Sequence, residues 1–224
     1  MSGVEFVLAL LQMLLGAFAP APEPPGHMVV RVPPGETVVL RDRPGGRVVA
    51  RLPARTEFGS PQALSVLQRK EGWLGVSTTA LRNDRLGWID PGSEALRYER
   101  TPVELRADLS RRELAVFSKG RAIRRMRVTI GGNASPTPVG RFAVTDKLPG
   151  ADICSYYGCC VLAISGRQPN LPPGWEGGDL LAIHGGPNWA IGSKLSAGCL
   201  HAREADLHWL MRRVDLGTPI VIHP

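Results

Sequence analysis

The chain has 224 residues and a formal net charge of +7 at pH 7. Hydrophobic residues make up 43% of it, which is too high a share for an intrinsically disordered chain. Its 26 glycines and 20 prolines favour short strands joined by turns, so we expect a mainly β protein. The basic residues form no nucleic-acid-binding signature, so we expect no nucleic-acid partner. Their charge suits an anionic cell wall, or serves only solubility.

The N-terminal stretch VEFVLALLQMLLGAFA, residues 4–19, is almost entirely apolar. A membrane span needs about 20 such residues, so this run is short for one. Its end, Ala17-Phe18-Ala19, has the small-x-small form of a signal cleavage site, although no basic residue precedes the run. We expect residues 1–19 to be an export signal or an anchor, with a buried helix as the alternative. The protein is then exported from the cytoplasm.

After a Pro-rich spacer at residues 20–27, short β-prone runs separated by turn residues fill residues 28–92. We expect a small barrel there. The pairs Gly72-Trp73 and Gly87-Trp88 resemble those that close the last strands of bacterial SH3-type domains. That resemblance implies a wall- or peptide-binding accessory, whereas both tryptophans are also explained as core residues. Charged and turn residues without periodicity predict a linker at residues 93–98.

Residues 99–224 are predicted to form a second, β-rich domain with one long helix. Apolar residues on both sides of Ser118-Lys119-Gly120 predict a β-hairpin. Apolar residues at helical spacing from Leu207 to Val214 predict an amphipathic helix at 203–214. The Gly/Pro-rich stretch 147–178 is unusually long for a connection inside a compact domain, so we expect a lid over a functional site.

A cysteine lies between two histidines in the glycine-rich run from His184 to His201. A thiol attacks carbonyls only as thiolate, and its ordinary pKa of about 8.5 means that it needs a base. His184 ends an apolar strand and is a candidate base, and Cys199 lies where backbone N–H groups can converge on an oxyanion. A buried structural cysteine remains an alternative. A metal site is disfavoured because the run lacks a close ligand pair, and we expect no metal.

The other three cysteines, Cys154, Cys159 and Cys160, are clustered in the predicted lid. In an oxidising compartment they can form one short-range disulfide, which leaves one of them and Cys199 unpaired. We expect this bridge to stiffen the lid. The cluster has no Cys-x-x-Cys pair, so a structural zinc site is not expected.

Four sequence pieces occur in a characteristic order, namely SPTPVGRFAV, IHGG, IGSKLSAGCLH and GTPIVIH. Together they resemble the L,D-transpeptidase catalytic domain of the YkuD type over about residues 99–224. The resemblance implies that Cys199 is the nucleophile and that His184 accepts and returns its proton. It also implies that the carbonyl of Gly185 orients the imidazole, that the N–H groups of Gly198 and Cys199 form an oxyanion hole, and that Ser196 stands at the family's Ser/Thr position near the substrate.

The resemblance further implies peptidoglycan stem peptides as the substrate and no cofactor. The thiolate attacks the third residue of a tetrapeptide stem, releases D-alanine and leaves a thioester. A neighbouring stem amine then gives a 3→3 cross-link, whereas water would make the enzyme an L,D-carboxypeptidase. Tyr156 and Tyr157 are candidate lid residues and Trp189 is a candidate wall of the pocket, although core packing explains each equally well.

Two positions depart from the family pattern. Ala197 stands where the family usually has His, which leaves a weakened enzyme or a wall-binding scaffold as the alternative. His201 stands where the family usually has Asn or Arg. If the segment after Cys199 is extended, residues two apart share a face, so His201 is a candidate replacement for the missing imidazole. A plain surface histidine is the other interpretation.

Overall fold

Seventeen strands and one α-helix make up the regular structure of residues 26–92, 95–150 and 152–224, which are the residues that this computed structural model describes. The predicted signal or anchor and all but the end of the Pro-rich spacer lie outside the described residues. Within those three ranges, no helix has the length and hydropathy that a membrane span requires.

The first sheet contains seven strands in the order β3-β2-β6-β5-β4-β1-β7. They are β1 (His27–Arg31), β2 (Thr37–Arg41), β3 (Val48–Pro53), β4 (Ala63–Lys70), β5 (Trp73–Val76), β6 (Gly87–Ile89) and β7 (Arg97–Thr101). Its apolar core includes the fully buried Val30, Leu40 and Ile89. Trp88 is also buried, which agrees with its interpretation as a core residue. The SH3-like class of this unit remains a prediction.

The division between the two units differs from the predicted one. Strand β7 pairs with β1 from His27 opposite Thr101 to Arg31 opposite Arg97, so it belongs to the first sheet. The predicted linker at 93–98 therefore overlaps this strand, and the predicted boundary at residue 99 falls inside it. The chain passes into the second sheet at Pro102, directly before β8.

The second sheet contains eight strands in the order β10-β9-β8-β17-β12-β13-β14-β16. They are β8 (Val103–Asp108), β9 (Glu113–Ser118), β10 (Arg121–Arg127), β12 (Gly140–Pro149), β13 (Cys160–Arg167), β14 (Leu180–His184), β16 (Leu200–His201) and β17 (Pro219–His223). A separate short pair joins β11 (Ile130–Gly131) to β15 (Lys194–Ser196). The protein is thus mainly β, as the composition predicts.

Local sequence explains the hairpin and the helix of the second unit. Lys119 and Gly120 both have positive φ angles, of 50° and 77°, which is the backbone of a tight two-residue turn between β9 and β10. Helix α1 (Glu204–Arg213) lies within one residue of its predicted bounds at each end. Leu207 and Leu210 bury its apolar side in the second core, which confirms the predicted amphipathic helix.

The first unit contacts the far end of strand β13. The side chain of Asn83 donates to the carbonyl of Arg167 at 2.7 Å and accepts from the Arg167 N–H at 2.8 Å. The guanidinium of Arg167 in turn donates to the carbonyl of Thr79 and pairs with Asp179. These bonds fix the end of a strand whose other end lies beside His184, so the first unit supports the sheet that carries the site.

We predict that Asn83→Ala lowers the free energy of unfolding by about 1–3 kcal/mol, because it leaves two partly buried backbone groups of Arg167 without partners. Asp84→Ala is the matched control: its exposed side chain makes only surface ion pairs, so it should change stability by less than about 0.5 kcal/mol. Urea denaturation of both variants measures the difference. Equal effects would contradict this role of Asn83.

Candidate active site

A cavity of about 840 Å³ lies beside strand β14 and the loop 196–199. Cys199 and His184, the two residues that the sequence predicts as a reacting pair, both line it, and so does His201. The lid contributes Tyr156 and Tyr157. The cavity therefore brings together the parts of the chain that the sequence analysis singled out.

The parallel pairing of β14 with β16 places these side chains. Ile183 lies opposite Leu200 and His184 lies opposite His201. The same register puts Cys199 beside Ala182, two residues before His184, so the thiol and both imidazoles share one face of the sheet. Cys199 and His184 are therefore diagonal neighbours.

A backbone carbonyl orients the imidazole of His184. Its Nδ1–H donates to the carbonyl of Gly185 at 2.6 Å, which leaves Nε2 as the proton acceptor. This is the carbonyl to which the family resemblance assigns the orienting role. The N–H of Gly185 donates to the carbonyl of Tyr157 at 2.7 Å, and the Tyr157 ring lies 4.4 Å from the His184 ring. The lid thus packs directly against the histidine.

Burial keeps the thiol and the imidazoles neutral. Desolvation, with a smaller effect of the neighbouring His201, lowers the pKa of His184 to about 3. Desolvation also lowers the pKa of His201 to about 4. It raises the pKa of Cys199 to about 11, although a backbone hydrogen bond from Ala182 to the sulfur acts in the opposite direction. At neutral pH the pair is therefore a thiol beside a neutral base, not a thiolate beside an imidazolium.

The loop before the cysteine is closed by its own hydrogen bonds. The hydroxyl of Ser196 donates to the carbonyl of Cys199 at 2.6 Å and accepts from the Gly198 N–H at 3.1 Å. The Gly198 N–H is therefore bonded inside the loop here, and its place in an oxyanion hole stays a prediction. Ser196, predicted to bind substrate, borders the cavity while its hydroxyl shapes this turn. The oxyanion role of the Cys199 N–H stays a prediction.

Two buried polar side chains that the sequence analysis did not select hold this loop in place. The Thr137 hydroxyl donates to the carbonyl of Gly198 at 2.8 Å. The amide of Gln168 donates to the carbonyl of Ala197 at 3.1 Å and to that of Pro136 at 3.0 Å. Thr137 lies in the motif SPTPVGRFAV, so the sequence could have indicated its role near the site. No local sequence pattern indicates a role for Gln168.

Trp189 does not line the pocket, which corrects its predicted position in the pocket wall. Its side chain is 80% exposed and does not border the cavity. The short 3-10 turn Asn188–Ala190 explains this, because the Thr129 hydroxyl donates to the carbonyl of Ala190 at 2.5 Å and Ala190 is buried. The turn that buries Ala190 directs Trp189 outward. Trp175, which the sequence analysis passed over, borders the cavity instead.

A disulfide joins the adjacent residues Cys159 and Cys160, and Cys154 and Cys199 are free thiols within the described part of the chain. A bridge between neighbours closes no long loop and so adds little loop-closure constraint. The predicted bridge is present, but it cannot stiffen the lid in the expected way. Cys199 remains available for chemistry.

We predict that Gly198→Ala lowers the free energy of unfolding by about 1–3 kcal/mol or more, because a Cβ there would lie 2.1 Å from the Gln168 amide and φ is +118°. Gly178→Ala is the matched control, since its Cβ would meet nothing within 4 Å and it borders the same cavity. Thermal melts of the two variants test this. A Gly198→Ala protein as stable as the control would contradict the tight packing of the loop.

We predict that the fold loses stability as pH falls from 6.5 towards 4. Both histidines have folded pKa values below the ordinary 6.5, so the unfolded chain binds more protons in this window and the free energy of unfolding falls. Each group contributes up to about 1.4 kcal/mol per pH unit. His201→Asn removes one of the two buried histidines, so the free energy of unfolding, measured by urea denaturation, should depend less steeply on pH. His223→Asn changes an exposed residue and serves as the matched control. Equal slopes would contradict this burial effect.

Comparison with known proteins identifies the second unit. The family model of the L,D-transpeptidase catalytic domain, YkuD, matches residues 102–222. No curated protein matches the chain. A solved structure of Bdellovibrio bacteriovorus Bd1075 is 24% identical, with a TM-score of 0.45 over 55% of this chain and 48% of its own. The chain thus spans about half the length of that protein.

Two mycobacterial structures are similar as well. An L,D-transpeptidase from Mycobacterium smegmatis is 18% identical, with a TM-score of 0.45 over 70% of this chain and 80% of its own. L,D-transpeptidase 3 from Mycobacterium tuberculosis is 18% identical, with a TM-score of 0.45 over 64% and 76%. Because the family match over residues 102–222 covers more than half of the sequence, the chain belongs to the YkuD family of L,D-transpeptidase catalytic domains.

Proposed function

We propose that this protein is a peptidoglycan L,D-transpeptidase in which Cys199 is the nucleophile and His184 is the general base. The single observation that carries the proposal is the placement of a free thiol and an oriented, neutral imidazole on one face of the β14–β16 ladder, inside one cavity. Covalent catalysis requires a nucleophile beside a base that a third group orients. The Cys199 thiol here donates to the carbonyl of Leu180 at 3.9 Å, and we propose that it turns from that carbonyl towards Nε2 of His184 when substrate binds.

The first half-reaction makes a thioester. Nε2 of His184 takes the thiol proton as the sulfur attacks the carbonyl of the third residue of a tetrapeptide stem. The resulting oxyanion collapses, the bond to D-alanine breaks, and His184 returns the proton to the departing amine. Because the resting pair is neutral, the thiolate forms during the attack and does not exist beforehand.

The second half-reaction restores the thiol. An amine of a neighbouring stem attacks the thioester, and His184 takes a proton from that amine and passes it to the departing sulfur. The product is a 3→3 cross-link. If water replaces the amine, the same steps give a tripeptide, and the protein is an L,D-carboxypeptidase.

The lining of the cavity suits a branched peptide that carries charges of both signs. Lys194 of strand β15 borders it, and so does Glu176 from the stretch before β14. Stem peptides bear both carboxylates and amines. We assign their binding to these groups together with Tyr157, whose ring packs beside His184.

The absence of a histidine at position 197 raises the alternative of a binding-only scaffold. The structure of the loop favours a working site, because the Gln168 amide and the Thr137 hydroxyl hold its backbone without help from the side chain of Ala197. His201 supplies a second imidazole, with its ring 4.6 Å from that of His184. The Nδ1 of His201 is buried without a hydrogen-bond partner among the described residues. We propose that His201 helps His184 to act as a neutral base.

The remaining parts of the proposal follow from this activity. Peptidoglycan lies outside the cytoplasmic membrane, so we propose that residues 1–19 direct export or anchoring. We further propose that the first unit contributes to binding of the wall, aided by the net charge of +7.

We predict that Cys199→Ser lowers D-alanine release from defined tetrapeptide muropeptides by roughly 10³-fold or more, because it removes the nucleophile. Cys154→Ser is the matched control, since this free thiol borders the same cavity, and it should retain activity. Mass spectrometry of the products measures 3→3 dimers and tripeptides together.

Dimers that depend on Cys199 support transpeptidation, whereas tripeptides alone support the carboxypeptidase. Turnover by Cys199→Ser at the wild-type rate would contradict the assigned nucleophile. A folded wild-type protein that releases no D-alanine with any acceptor would contradict an enzymatic function and favour the scaffold.

A further inference from the structure

We propose that Cys159, Cys160 and His208 form a soft-metal site, of the class that binds Zn²⁺ or Cd²⁺, which exists only when the Cys159–Cys160 disulfide is reduced. These three residues lie on the face of the sheet away from the cavity, and the proposed transpeptidase reaction does not use them. The proposal therefore stands apart from the proposed function.

The distances between the ligand atoms suit a shared ion. The two sulfurs are bonded to each other in the disulfide, and both lie within 4.8 Å of a ring nitrogen of His208. The Cys160 sulfur is 3.9 Å from His208 Nδ1. Around a tetrahedral Zn²⁺, typical bond lengths place two sulfurs about 3.8 Å apart and a sulfur and a nitrogen about 3.6 Å apart. The sulfur–nitrogen distance is thus already close to that of a metal site, whereas the two sulfurs must part after reduction, by rotation of the two cysteine side chains, before they can share an ion.

The rest of the neighbourhood supports a ligand role for His208. Its other ring nitrogen, Nε2, faces the Glu204 carboxylate at 4.0 Å, one turn earlier on helix α1. A carboxylate behind a histidine is the usual arrangement that directs the opposite nitrogen towards a metal. Cys160 is buried, Cys159 is half-buried and His208 is exposed, so the site would lie at the surface with a path for the ion.

Cys159 and Cys160 can bind a metal only after their disulfide is reduced to two thiols. A small dithiol reductant attacks one sulfur, forms a mixed disulfide with it and releases the other cysteine as a thiol. Closure of the reductant's own disulfide then frees the first cysteine, so two electrons and two protons pass to the pair. Each thiol loses its proton when the ion binds, and the two thiolates balance the charge of a divalent cation.

The position in the fold sets where the ion would act. Val161 lies opposite His184 in the β13–β14 ladder, and the preceding residue, Cys160, points to the other face of the sheet, towards α1. A bound ion would connect the start of β13 to α1 directly behind the candidate active site. The two sulfurs can therefore form the disulfide or bind the ion, but not both at once.

The test compares the full chain in its two oxidation states, with the dithiol reductant removed under anaerobic conditions before titration with Cd²⁺. The reduced chain should bind one Cd²⁺ with the ultraviolet absorption of thiolate-to-metal charge transfer, and a large excess of Zn²⁺ should compete for the same site. The oxidised chain should show no such absorption, although its Cys154 and Cys199 remain free thiols. This comparison needs no substitution, so a variant that fails to fold cannot decide it.

Variants then assign the ligands. Cys160→Ser should abolish the absorption, and His208→Gln should weaken Cd²⁺ binding at least about tenfold. Cys154→Ser and His223→Gln are the matched controls and should bind like the wild type. Reduced wild-type chain that binds Cd²⁺ no better than oxidised chain, or Cys160→Ser that binds unchanged, would overturn the proposal.

Discussion

The candidate active site depends on one constraint, the parallel pairing of β14 with β16. Its register sets His184 opposite His201 and puts Cys199 two positions away on the same face. A shift by one residue would turn the thiol to the other side of the sheet. Thr129 exchanges two backbone hydrogen bonds with His201, so β16 is held from both sides and this register is fixed.

The candidate active site also depends on the burial of hydrogen-bonded polar groups. The loop that carries Cys199 is fixed by Thr137 and Gln168, two buried side chains whose hydrogen bonds end on its carbonyls. Buried polar groups are costly unless they are bonded, so such a network favours a single loop conformation. The same burial keeps His184 and Cys199 neutral, and charge would develop only as the sulfur attacks a carbonyl.

The sequence predicts those features that arise from local patterns. The spacing of Leu207 and Leu210 predicts the helix, and Lys119-Gly120 marks the hairpin. The order of the motifs predicts that Cys199 and His184 meet. Features that arise from contacts across the fold were not predictable. The predicted connection at 147–178 contains the strand β13. Gln168 directly follows that strand, and only the folded chain brings Ala197 and Pro136 to its amide.

The misplaced predictions have the same origin. Trp189 is a candidate wall of the pocket in the sequence, but a turn that buries Ala190 directs its side chain into solvent. The hydrogen bond from the Gly198 N–H to the Ser196 hydroxyl, which closes the turn, is likewise not visible in the sequence. Strand β7 had no alternating pattern, and it is recognisable only by its pairing with β1.

The central claim is that the imidazole of His184 removes the proton of Cys199. The most direct measurement is the rate at which a carbapenem acylates Cys199, followed by intact mass as a function of pH. We expect His184→Gln to slow acylation by roughly 10²-fold or more at pH 7 and the deficit to shrink as alkali ionises the buried thiol. Acylation of His184→Gln at the wild-type rate at pH 7 would contradict the account.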